Sequence, residues 1–168
     1  MRFLVQPTPE ALARARPPVR AFLVFAALAL AGLAVQRIAN GGLTASGVEG
    51  FYLAGGDPLP AAALWEEVHT GAFLYGFVLL VLGSLLAVSP VPAWVRGPGF
   101  TAVVAATLAD LFAPFAVVRL HGAGGLRVAT SVAALVGVAA LVAVAWVAYG
   151  RPRAARGRHH RHAHRRPA

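Results

Sequence analysis

The side chains best suited to acid–base or metal chemistry are few: six Asp or Glu residues and six His, with no Cys. The missing thiols exclude disulfides, thiolate metal sites and c-type haem attachment. Glu66, His69, Phe73, Gly76, Leu80, Gly83 and Ala87 recur at three- and four-residue spacing, which places them on one face of a helix. Small residues let helix backbones approach in lipid, so Gly76 and Gly83 mark this as the expected packed face. On that phase Glu66 and His69 point inward and Glu67 points elsewhere. Asp110 stands inside another apolar stretch, where a charge costs about 2.5–3.5 kcal/mol on insertion scales. Pro114, four residues on, lacks the amide that would bond the Asp110 carbonyl, so a mid-membrane polar pocket and a kink are expected there. His121 lies eleven residues after Asp110, close to three turns, and returns to its face.

Three chemistries fit this pattern. A single b-type haem needs two facing histidines, and His69 and His121 would end adjacent helices. A metal could sit between Glu66, His69 and His121. Asp110 could relay protons, or bind a polar ligand or lipid head group. Against the first, His121 stands in a glycine-rich turn that would hold an axial ligand poorly. Against the second, Glu-x-x-His is a short motif that chance supplies often. The structural alternatives need less special geometry. The histidines then serve as interfacial hydrogen-bonding groups, and Asp110 bonds across to Thr70, Tyr75, Ser84 or Ser131. No nucleophile elbow, P-loop or HExxH motif is present, so no catalytic residue is assigned.

The elements that must position these groups are four apolar blocks in a chain of 168 residues that is 58% hydrophobic and 12% charged. Soluble domains run at about 45–50% and 25%. A helix of about 20 apolar residues crosses a bilayer. The expected crossings are about 20–37, 68–88, 100–119 and 127–149, forming an all-α, antiparallel up-down four-helix bundle over residues 20–149. Block one is short, and Arg20 and Arg37 can snorkel to extend it. It also resembles a signal peptide, although the nearest cleavage site, Ala39-Asn40-Gly41, is poor.

Arginine sets the orientation, since all fifteen basic residues are Arg. Arg2, Arg14, Arg16 and Arg20 in the segment 1–19, Arg96, and seven arginines in the tail 150–168 share one side; Arg37, Arg119 and Arg127 share the other. The positive-inside rule puts both termini in the cytoplasm. Trp65, Trp94, Trp146 and Tyr149 stand near the expected boundaries, as amphipathic rings prefer. In the first outer connection Ser46-Gly47-Val48-Glu49 reads as a capping box that opens a short helix ending at Gly55-Gly56. After Asp57-Pro58-Leu59-Pro60 a new helix should start near Ala61 and run into the second crossing. Ala129, Ala133 and Gly137 form a small-residue stripe suited to helix packing within the chain or with a partner. The tail, with His159, His160, His162 and His164 among its arginines, reads as a disordered polybasic segment. It would lie on anionic lipid head groups, worth about 1 kcal/mol per Arg near the surface. Aromatic residues do not interleave those charges, so specific nucleic-acid binding is not expected.

Gly42-Leu43-Thr44-Ala45-Ser46-Gly47-Val48-Glu49, then Phe51-Tyr52, Glu67-Val68-His69-Thr70, and Ala109-Asp110 with Ala113-Pro114 together resemble a group of small bacterial inner-membrane proteins with four crossings. The resemblance spans most of residues 20–149 and implies the fold but no activity. The group commonly carries a second histidine two residues after the first; Gly71 stands there, which weakens a two-ligand site. The expectation is a multi-pass protein of the bacterial inner membrane, a non-catalytic subunit acting through helix packing with a membrane partner or as a homo-oligomer. The alternative is a haem- or metal-binding electron-transfer protein.

Overall fold

The computed structural model describes residues 9–120 and 122–150. His121, the first eight residues and the arginine–histidine tail lie outside the described residues. The described chain is all-helical: α1 (Pro9–Ala39), α2 (Ala45–Leu53), α3 (Ala61–Val88), α4 (Phe100–Arg119) and α5 (Gly124–Gly150). Four segments, Ala15–Ala39, Ala61–Val88, Val95–Arg119 and Gly124–Tyr149, are long and apolar enough to cross a membrane. Their outward surfaces carry Phe25, Phe73, Leu80 and Val136, all more than 60% exposed. Helices apolar inside and out are compatible with a membrane protein.

Local chemistry sets the boundaries. Pro58 and Pro60 hold the chain extended, and α3 begins at Ala61, as expected, then runs 28 residues unbroken. A π-helical turn, Val95–Gly99, leads into α4; Pro98 within it has no amide to give an α-helical bond. The start of α2 differs from the expected capping box. Thr44, in extended conformation, caps the helix by accepting the Gly47 amide at 3.1 Å. Ser46 already lies in the first turn, and the Glu49 side chain reaches away to α5. The short helix ends at Leu53, where Ala54 takes a left-handed conformation and its amide bonds back to Gly50.

The core runs along one stripe of each long helix. Val19, Leu23, Ala26, Leu30 and Leu33 of α1 meet Tyr75, Val78, Leu82 and Leu86 of α3 and Ala134, Val138, Leu141 and Ala145 of α5. The α4–α5 and α3–α4 approaches are close. A Cβ on Gly137 would sit 3.0 Å from Val103, and one on Gly71 would sit 2.5 Å from Leu111. At one end of the core the Tyr149 hydroxyl donates to the Leu85 carbonyl at 3.1 Å. At the other, α2 packs Val48 and Tyr52 against Leu64 and Val117.

The packed face of α3 is therefore Leu64, Val68, Gly71, Tyr75, Val78, Leu82 and Leu86. This corrects the expected phase. Glu66, His69, Phe73 and Leu80 lie on the exposed surface, and a Cβ at Gly76 would meet nothing within 4 Å. Gly83 alone of that stripe makes a close approach, to the Phe100 ring. Two glycines do not set the phase of this helix. The helix is rotated instead by the residue that must reach buried partners, Glu67.

Candidate functional site

Four charged side chains, one from each long helix, close into a ring. Arg37 comes from the last turn of α1 and Glu67 from the second turn of α3. Asp110 comes from the middle of α4 and Arg127 from the first turn of α5. Each guanidinium bridges both carboxylates. Arg37 donates through Nη1 to Glu67 and through Nη2 to Asp110 Oδ2, the latter at 3.1 Å. Arg127 donates through Nη1 to Asp110 Oδ1 and through Nη2 to Glu67 Oε1, the latter at 2.7 Å. Two positive and two negative groups alternate around the ring, and its formal charge is zero. The planar fork of arginine suits it to serve two carboxylates at once, with separate nitrogens aimed at each, whereas a lysine ammonium is a compact point charge.

Neutral hydroxyls complete the ring. Asp110, wholly buried, also accepts from Ser131 at 2.6 Å and from Tyr75 at 3.3 Å. The Tyr52 hydroxyl stands 2.8 and 2.9 Å from the two Glu67 oxygens and donates to that carboxylate. Asp110 was expected to bond to one of four hydroxyl residues. Tyr75 and Ser131 do so, whereas Ser84 donates to the Leu80 carbonyl and Thr70 is exposed. The Asp110 carbonyl freed by Pro114 is also used: Arg127 Nη1 donates to it. A charge buried without partners is prohibitive, and these pairings make this set tolerable.

A second contact braces the same end of the molecule. The Glu49 carboxylate of α2 accepts the Gly124 amide at 2.9 Å, the first amide of α5. It satisfies an orphan helix donor and places a negative charge at the positive end of the helix dipole.

The sequence places the two arginines of the ring at the ends of the first and fourth apolar blocks and lets Arg37 snorkel to the interface. It does not: Arg37 is 9% exposed and Arg127 2%. Their signal was present in the sequence. Each stands within a turn of an apolar block, and Arg127 and Ser131 are one helical turn apart.

Glu66 and His69 are not brought into the ring; they share the exposed side of α3. Among the described residues no group of three or more His, Cys, Asp or Glu is placed to hold a metal ion. No family model, curated protein or solved structure matches the chain.

Proposed function

We propose that the protein is a non-catalytic, multi-pass subunit of a bacterial inner membrane that acts through helix packing with a membrane partner or a second copy. The observation that carries this is the closed ring of Arg37, Glu67, Asp110 and Arg127. It engages both buried carboxylates with guanidinium groups, so their chemistry is spent on joining helices. Buried ionic groups are best attested as devices that fix register and arrangement. In this reading the four crossings are antiparallel and both termini are cytoplasmic, which the arginine distribution supports. The ring then lies toward the outer leaflet, and the arginine-rich tail lies on anionic lipid of the inner one. The bacterial four-crossing group that the sequence resembles supports the same placement.

The chain has no cysteine, so introduced cysteines report uniquely. In intact cells an impermeant maleimide should label Gly42→Cys, on the outer side, and spare Gly97→Cys, on the inner side; the reverse pattern overturns the orientation. In native membranes, cysteines on the exposed stripe of α3, at Phe73 and Leu80, should cross-link to a second copy or to one defined partner. Absence of any cross-link from the exposed stripes of all four long helices would remove the packing role.

A further inference from the structure

The stripe on α3 that its spacing singles out has no packing role inside the chain. Its steps alternate three and four without a break. Glu66, Phe73, Leu80 and Ala87 stand seven apart, with His69, Gly76 and Gly83 between them. That is the a/d pattern of a two-helix seam sustained over three heptads. Phe73 and Leu80 supply large side chains at a positions and Gly76 and Gly83 supply none at d, so knobs and holes alternate along one line. Phe73 and Leu80 are 77% and 71% exposed, and a Cβ at Gly76, between them, would meet nothing within 4 Å. An open groove between α3 and α4 follows the same line from Ala72 to Ala87, with the Phe100 ring as its floor at Gly83.

Lipid covers apolar surface readily, so exposure alone names no partner. The charges do. Glu66 and His69 stand at the N-terminal end of the same seam, both exposed, and neither side chain makes a hydrogen bond or ion pair among the described residues. They occupy successive a and d positions. In a parallel helix pair each a side chain enters a hole that the following d residue of the facing helix helps to form. Glu66 of one chain therefore reaches His69 of another, and a two-fold axis repeats the contact with the roles exchanged. Phe73 and Leu80 enter on either side of the facing Gly76, where the missing side chain lets the backbones approach. A surface with both charges and both sizes in this order is complementary to itself.

We infer that α3 carries a self-association seam whose occupant is the α3 of a second copy, parallel and in register, with Glu66 facing His69 across the two-fold axis. The inference rests on the packing role proposed above and narrows its partner to this chain. An antiparallel pairing would put the arginine-rich ends of the two copies on opposite sides of the membrane, against the bias that arginine imposes.

Single cysteines in the full-length protein, oxidised in native membranes, test this. Phe73→Cys, Gly76→Cys and Leu80→Cys should each join to its own counterpart as a dimer of this chain. Phe25→Cys and Val136→Cys, exposed on α1 and α5, should stay monomeric. Gly76→Leu should abolish the Leu80→Cys dimer without changing the helical melt, since the added side chain projects from the outer surface. Mixing tests the charges. With Leu80→Cys as reporter, Glu66→Lys and His69→Glu should each lose the dimer when expressed alone, because like charges face. Co-expression of the two, differently tagged, should restore it as a mixed dimer, because each Lys and each His then faces a Glu. Dimers that form through α1 or α5 instead, or α3 cysteines that join a different protein, overturn this inference and leave the packing role standing. No cross-link from any long helix overturns both. Dimers that persist in Gly76→Leu, or co-expression that restores nothing, also overturn the inference.

Discussion

Arg127 grips Asp110 at two points, its side-chain carboxylate and its backbone carbonyl. The second is open only because residue 114 is proline, with no amide to close the helical turn. A helix-breaking residue and a buried charge, which look like two separate defects in an apolar sequence, thus form one feature. The carbonyl that Pro114 orphans is what anchors the first turn of α5 to the middle of α4.

Asp110→Asn should be the most damaging single change in the ring. It leaves two largely buried guanidinium groups facing one carboxylate. Removing one partner of a buried pair costs about 3–5 kcal/mol. The measurement is the unfolding midpoint in SDS–detergent mixtures, with helical content followed by circular dichroism. A loss below about 1 kcal/mol would mean the ring is not formed. Asp110→Asn combined with Arg127→Gln should cost less than the sum of the two, because the pair couples directly.

Arg37→Lys and Arg127→Lys keep the charge but should each weaken the protein. A single ammonium nitrogen cannot match the spread of the two Nη atoms, so the bonds to one or both carboxylates lengthen in each variant. The expected cost is about 1–3 kcal/mol by the same unfolding measurement, smaller than for loss of charge. Equal stability of the Lys variants would show that the fork geometry is not needed.

Much of the fold is legible in the sequence. The four apolar segments and the start of α3 after Pro60 follow from length and proline chemistry, and of the four hydroxyl residues within expected reach of Asp110, Tyr75 and Ser131 bond to it. The rotation of α3 does not. In a helix apolar on every side the hydrophobic pattern carries little phase information, so Gly76 and Gly83 are a weak guide, and the phase they suggest exchanges the faces of Glu66 and Glu67. What fixes the rotation is pairing between residues thirty to sixty positions apart, Glu67 with Arg37 and Arg127. A single sequence shows each of those charges but not that they meet. The cap of α2 fails similarly: Glu49 had a local partner by motif and a distant one, Gly124, by fold.

The corrected phase of α3 makes His69 a bystander to folding. His69→Ala and Glu66→Gln should each change stability by less than about 0.5 kcal/mol, as exposed substitutions usually do. Glu67→Gln, one residue away, removes the acceptor of both arginines and of Tyr52 and should destabilise by several times that amount. Parallel melts of the three variants decide it. A strong effect at His69 with a weak one at Glu67 would restore the phase first expected from the glycines.

Glycine substitutions give an independent reading of the same packing, and their order is fixed by what a new methyl group would strike. At Gly76 it meets nothing within 4 Å, so Gly76→Ala should be neutral or slightly stabilising through helix propensity. At Gly71 it meets the far end of the Leu111 side chain, which can move, so the cost should be modest. At Gly47 and Gly124 it would strike the backbone carbonyl oxygens of Gly41 and Ala45, which cannot yield without shifting α2. Gly124→Ala also disturbs the amide that Glu49 holds, a cap worth about 0.5–2 kcal/mol. The expected order of melting temperature is Gly76→Ala highest, then Gly71→Ala, with Gly47→Ala and Gly124→Ala lowest. A Gly124→Ala protein as stable as Gly76→Ala would show that α2 does not seat on the start of α5.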